Sequence, residues 1–77
     1  MYIEINFENA PMLPNEVREY LSKKINTALM YHAEVIVNNG GYIEVVSEYG
    51  TEYSFNLKNI PEEWADDITD AIQQMNI

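Results

Sequence analysis

From Asn59 to Met75 the chain reads as one amphipathic helix with its two characters fully separated. Trp64, Ala65, Ile68, Ala71, Ile72 and Met75 fill one arc of the helical wheel, and Glu62, Glu63, Asp66, Asp67 and Asp70 fill the opposite arc. No lysine or arginine interrupts the acidic side. One face must bury and the other must stay charged, so the rest of the chain has to supply a flat apolar surface for that stripe. Asn59 and Glu62 have capping-box spacing, and Pro61 is tolerated in a first turn.

The surface is expected to be a sheet. Tyr2 to Phe7 alternates, with Ile3, Ile5 and Phe7 on one side and Tyr2, Glu4 and Asn6 on the other. Pro11 and Pro14 then make a connector, from which Met12 and Leu13 are expected to fold back onto the core. A helix is predicted over Asn15–His32, with Asn15 as N-cap and Val17, Leu21, Ile25, Ala28, Leu29 and His32 on its apolar arc. Tyr20 and Tyr31 extend that arc, Lys24 falls within it, and Met30 lies on the far side. The β-branched run Val35-Ile36-Val37 predicts a strand, and Asn39-Gly40 predicts a type I′ hairpin turn after it. Tyr42 to Glu48 is the return strand, with Ile43, Val45 and Ser47 on one side. After a turn at Gly50, Glu52 to Lys58 alternates again, with Tyr53, Phe55 and Leu57 inward. The expected fold is therefore α+β, ordered β-α-β-β-β-α. It is a two-layer sandwich with a four-stranded, mostly antiparallel sheet and two helices on one face.

The 77 residues make a single domain, residues 1–77. A domain this small buries only roughly 60–65% of the surface its unfolded chain exposes, leaving one thin core and no room for a deep cleft. The content of 47% hydrophobic and 12% aromatic residues separates it from disordered acidic tails, which lack aromatics. The formal charge is −9, and it is unevenly spread: residues 34–77 hold nine acids against Lys58 alone. Direct nucleic-acid binding needs a basic patch and is disfavoured; a basic protein partner is favoured. The absence of cysteine removes disulfides and thiolate metal sites and fits a reducing compartment. The opening Met1-Tyr2-Ile3-Glu4 lacks the pattern of a secretory signal, and no apolar run is long enough for a membrane span, so a cytoplasmic setting is expected.

Catalytic candidates are few. His32 is the lone histidine and has no partner of metal-ligand spacing. Gly40-Gly41 is followed by no Gly-Lys-Ser/Thr, and Ser22, Ser47 and Ser54 stand in no nucleophile-elbow context. Asp66, Asp67 and Asp70 lack the turn glycine and alternating spacing of a calcium loop. No enzyme, cofactor or metal site is expected.

The acidic residues offer more. Glu62, Asp66 and Asp70 stand about 6 Å apart along the helix, and Glu63 and Asp67 form an offset row. Together they place a carboxylate roughly every 3 Å, close to the spacing of about 3.4 Å between phosphates along one DNA strand. Glu44, Glu48 and Glu52 add charge on a sheet face near Tyr42. Two readings stay open: an imitation of a nucleic-acid backbone, or a solvated face that keeps the chain in solution. Tyr42 and Tyr49, expected on the sheet's uncovered side or at its turns, suit a protein interface or ordinary cross-strand pairing.

In size and acidity the chain resembles phage-encoded DNA mimics and anti-CRISPR proteins. The resemblance is one of composition; it implies a non-enzymatic inhibitor that blocks the nucleic-acid channel of a basic target in a host cytoplasm. The α-β-β-β-α portion matches the element order of double-stranded-RNA-binding domains, but those rely on basic residues where this chain has an acidic helix, so the analogy argues against RNA binding. The competing expectation is a small structural or regulatory domain that homodimerises through its sheet.

Overall fold

A computed structural model describes residues 1–48 and 52–75. The elements run β1 (Ile5–Asn6), α1 (Asn15–Ala28), a 3₁₀ turn (Met30–His32), α2 (Ala33–Asn38), β2 (Tyr42–Val46), β3 (Ser54–Lys58) and α3 (Glu62–Gln73). The sheet has three strands in the order β1-β2-β3; β1 is parallel to β2, and β3 is antiparallel to it. The α+β class holds. The expected four-stranded, mostly antiparallel sheet with two helices does not: among the described residues the sheet is three-stranded and mixed, and there are three α-helices.

The difference lies at Val35-Ile36-Val37, which is helical rather than extended. Helix propensity disfavours each β-branched residue by less than about 0.7 kcal/mol, whereas burying one isoleucine side chain gains roughly 1.5–3 kcal/mol. Ala33 and Ile36 are buried in the core, and Val35 and Val37 are half-covered, so packing decides. Asn39-Gly40 consequently closes a helix instead of turning a hairpin. Gly40 has φ +68°, its N–H donates to the Val37 carbonyl (3.0 Å), and the Gly41 N–H donates to Ile36 (2.7 Å). These are the paired bonds of a Schellman C-terminus. A Cβ on Gly41 would lie 3.0 Å from the Ile36 carbonyl oxygen and 3.2 Å from that of Asn59, so the close approach of two backbones fixes glycine there.

The helix ends also differ from expectation. Pro14, not Asn15, is the N-cap of α1, and Pro61, not Asn59, is the N-cap of α3; neither makes a side-chain cap bond. Asn59 is instead left-handed (φ 55°) and clamped to the end of α2: Asn39 Nδ2 donates to its carbonyl at 2.7 Å, and its own Nδ2 donates to the Gly40 carbonyl at 3.4 Å. The helix expected over Asn15–His32 stops at Ala28, and the chain bends through the 3₁₀ turn. Tyr20 and Tyr31, placed on the apolar arc by the sequence, are exposed, Tyr31 at 90%; Met12 is exposed at 71%, while Leu13 is buried.

Strand alternation sets the two sheet faces. Ile43 pairs with Ile5 and Leu57, and Val45 pairs with Phe55, so Ile5, Ile43, Val45, Phe55 and Leu57 share the face that packs with Leu21, Ile25, Leu29, Ile68 and Ile72. Asn6, Glu44 and Asn56 form one row across the opposite face, which none of the described helices covers. Arg18 ties the connector to α1: its Nε donates to the Leu13 carbonyl (2.9 Å) and its Nη2 to Pro11 (3.2 Å).

Candidate partner-binding surface

The register of α3 follows from its pattern. Ile68 and Ile72 are buried and Ala65, Ala71 and Met75 half-covered, which turns the opposite side of the helix outward. Glu62, Glu63, Asp66, Asp67 and Asp70 are all exposed. None has an ion pair or hydrogen-bond partner among the described residues; the ion pair recorded there joins Lys58 and Glu44 at 4.0 Å. Glu62 and Glu63 sit in the first turn, where the helix dipole favours negative charge. Asp70 sits nearer the negative end, where it does not. The cations of α1 go elsewhere. Lys24 lies 5.8 Å from the Tyr20 ring, Arg18 lies 5.8 Å from the Phe7 ring, and Lys23 and Lys24 line a groove with Tyr20 and Met75.

The sheet acids separate from this surface. By alternation Glu44 projects from the face opposite the helices, so it and the α3 carboxylates lie on different layers of the domain. Glu44 is also internally engaged: Asn56 Nδ2 donates to its Oε1 (3.0 Å) and Asn9 Nδ2 to its Oε2 (2.8 Å), with the Lys58 ammonium beside Oε1. The Asn56 bond holds its carboxyl below the ordinary glutamate value against the raising effect of burial, with Asn9 and the Lys58 charge assisting. Glu48 and Glu52 are exposed and flank a depression lined also by Tyr53 and Ser54. Tyr42 is half-buried on the open face, in register with Lys58. Tyr49 lies outside the described residues.

Trp64 departs from the apolar arc assigned to it. It is 36% exposed and tilts against His32, ring centroids 6.3 Å apart. Periodicity placed it within the arc and could not show that the 3₁₀ turn would meet it. Among the described residues no group of three His, Asp or Glu side chains gathers to hold a metal ion, and no helix is long and apolar enough to cross a membrane.

The arrangement can attract and orient a cationic surface. The chain matches no protein-family model, no curated protein and no solved structure.

Proposed function

We propose that this protein is a non-enzymatic binding module that docks a basic protein, and that it does so as a nucleic-acid mimic on the outer face of α3. One observation carries the reading: five carboxylates stand exposed along one helix with no described cation beside them. The partner's lysines and arginines, shaped for a phosphate backbone, would take those carboxylates in its place. Association of this kind is electrostatically steered, fast, and weakened by salt. The partner would be a nucleic-acid-binding enzyme or complex met in the cytoplasm, and the binding would inhibit it. Tyr42 and Tyr49 are the side chains that could add a packed anchor.

The test replaces Asp66, Asp67 and Asp70 by lysine in one chain, taking the formal charge from −9 to −3. All three are exposed, so the fold should persist by circular dichroism. The partner captured by the wild-type chain should bind the variant at least about tenfold more weakly, or about 1.4 kcal/mol. Unchanged affinity would remove the mimic reading.

A second reading, self-association through the sheet, has one observation in its favour: β3 is an edge strand with no described strand beyond it. It requires a dimer in sedimentation at micromolar concentration, and a clean monomer would dismiss it.

A further inference from the structure

Phe55 and Leu57 are only half-buried, although their cross-strand neighbours Val45 and Ile43 are fully buried. With Thr69, Ile72 and Gln73 they line a cleft of about 200 Å³ between β3 and α3. The core-facing residues of both strands are large and apolar. What differs is that, among the described residues, β2 has a strand on each side and β3 has one on its inner side alone.

The backbone of β3 is open at the same two residues. The Ile43 N–H donates to the Glu4 carbonyl, so Ile43 and Val45 direct their backbone groups toward β1, and Tyr42, Glu44 and Val46 direct theirs toward β3. Their partners Lys58, Asn56 and Ser54 therefore bond inward, and Phe55 and Leu57 point their N–H and C=O groups outward. The other edge of the sheet offers less, because its strand is short and the chain just before it is already engaged at Ile3. β1 is two residues long, and the side chain of Asn26 takes the backbone of Ile3 on both sides: Ile3 N–H donates to Oδ1 at 2.7 Å, and Nδ2 donates to the Ile3 carbonyl at 3.1 Å.

Charge selects what fits the open edge. Thr69 and Gln73 border the cleft, and Asp66 and Glu62 continue that row of α3. Glu52 is exposed just before β3. The one cation of the strand, Lys58, is turned to the opposite face against Glu44. A second copy of this chain would bring its own carboxylates against these, at −9 on each protomer. An extended segment carrying lysine or arginine would not.

We propose that the outer edge of β3 is a strand-addition site for an extended basic segment of the partner, whose alternate apolar residues fill the cleft beside Phe55, Leu57 and Ile72. The inference rests on the basic-partner reading and adds main-chain pairing to it.

The probe is a capped peptide about eight residues long, near the usual strand length, with valine and threonine alternating at its centre and lysine at both ends, so that the cations are not all turned to the face of Lys58. It is titrated into the ¹⁵N-labelled full chain at low salt. The amides of Tyr53, Phe55, Leu57, Thr69 and Gln73 should shift. N-methylation of alternate residues should weaken binding at least tenfold in one frame and leave the other frame unaffected, because only one set of peptide N–H groups faces β3. The same peptide with glutamate in place of its terminal lysines should not bind. Shifts confined to the outer face of α3, with both methylated frames equivalent, would overturn strand addition while leaving the basic-partner reading standing. No binding of the lysine peptide would overturn it too, as would a dimer formed through β3 in the absence of peptide.

Discussion

The two long helices press on the same sheet face but finish their burial differently. Along α1 the line Leu21, Ile25 continues to Leu29, and all three are fully buried. Along α3 Ile68 is fully buried, but Ile72 keeps 8% of its surface and Ala65, Ala71 and Met75 are half-covered. The apolar arc of α3 is the cleaner of the two in the sequence, since Lys24 interrupts that of α1, yet α3 is the less completely buried. The contrast shows that an amphipathic pattern says which side turns inward, while the neighbours beyond that side decide how far the burial goes. The α1 side is closed by the connector, with Ala10 and Leu13 in the core and Arg18 pinning Pro11 and Leu13. The α3 side stops at an edge strand, and there the carboxylates gather.

Substitutions at matched positions should expose the contrast. Ile25→Ala, on the closed side, should cost about 3–4 kcal/mol, a large share of the roughly 4–12 kcal/mol that a chain of this length commands. Leu57→Ala, on the open side, should cost about 1–2 kcal/mol, because solvent already reaches the site and less of a cavity forms. Urea unfolding measures both; equal losses would mean that the β3 side is as well packed as the other.

Asn26→Ala should come next, at about 2 kcal/mol, because it strips the partners from the N–H and C=O of a fully buried Ile3. Hydrogen exchange should quicken at residues 3–6 and stay unchanged in β3. Exchange that quickened equally in both strands would show that the two edges are not independent.

The smallest effect is expected at Glu44. Its carboxyl titrates below the ordinary value in the folded chain, so its contribution is present at neutral pH and is lost as pH falls from about 4.3, the unperturbed range, through the lower folded value. Glu44→Gln should therefore be less stable than wild type at pH 7, with the difference closing on acidification. A difference that held constant with pH would mean that packing, not charge, accounts for the loss.

How much of this was legible from residues alone follows the range of the forces involved. Strands β2 and β3 and the two long helices were visible because their periods are local: Ile43, Val45 and Ser47 alternate, and Ile68 and Ile72 recur one turn apart. Val35-Ile36-Val37 misled because its weak strand preference is overruled by the burial of Ile36 against residues distant in the chain. Asn39-Gly40 misled because a left-handed glycine serves a helix end as well as a hairpin. The exposure of Asp66, Asp67 and Asp70 was readable from the wheel. The engagement of Glu44 was not, since Asn9 lies 35 positions away and nothing local announces it. The open edge at Phe55 and Leu57 was likewise hidden, because it depends on how many strands the sheet has.

The central claim is that the carboxylates of α3 occupy the place of a phosphate backbone on the partner. Competition with a short DNA duplex tests it most directly: the protein is held at half-saturation on its captured partner, and duplex is titrated in at fixed salt. The account predicts full displacement, with an apparent affinity that weakens in proportion to duplex concentration. Simultaneous binding of the duplex and this protein to the partner would contradict it.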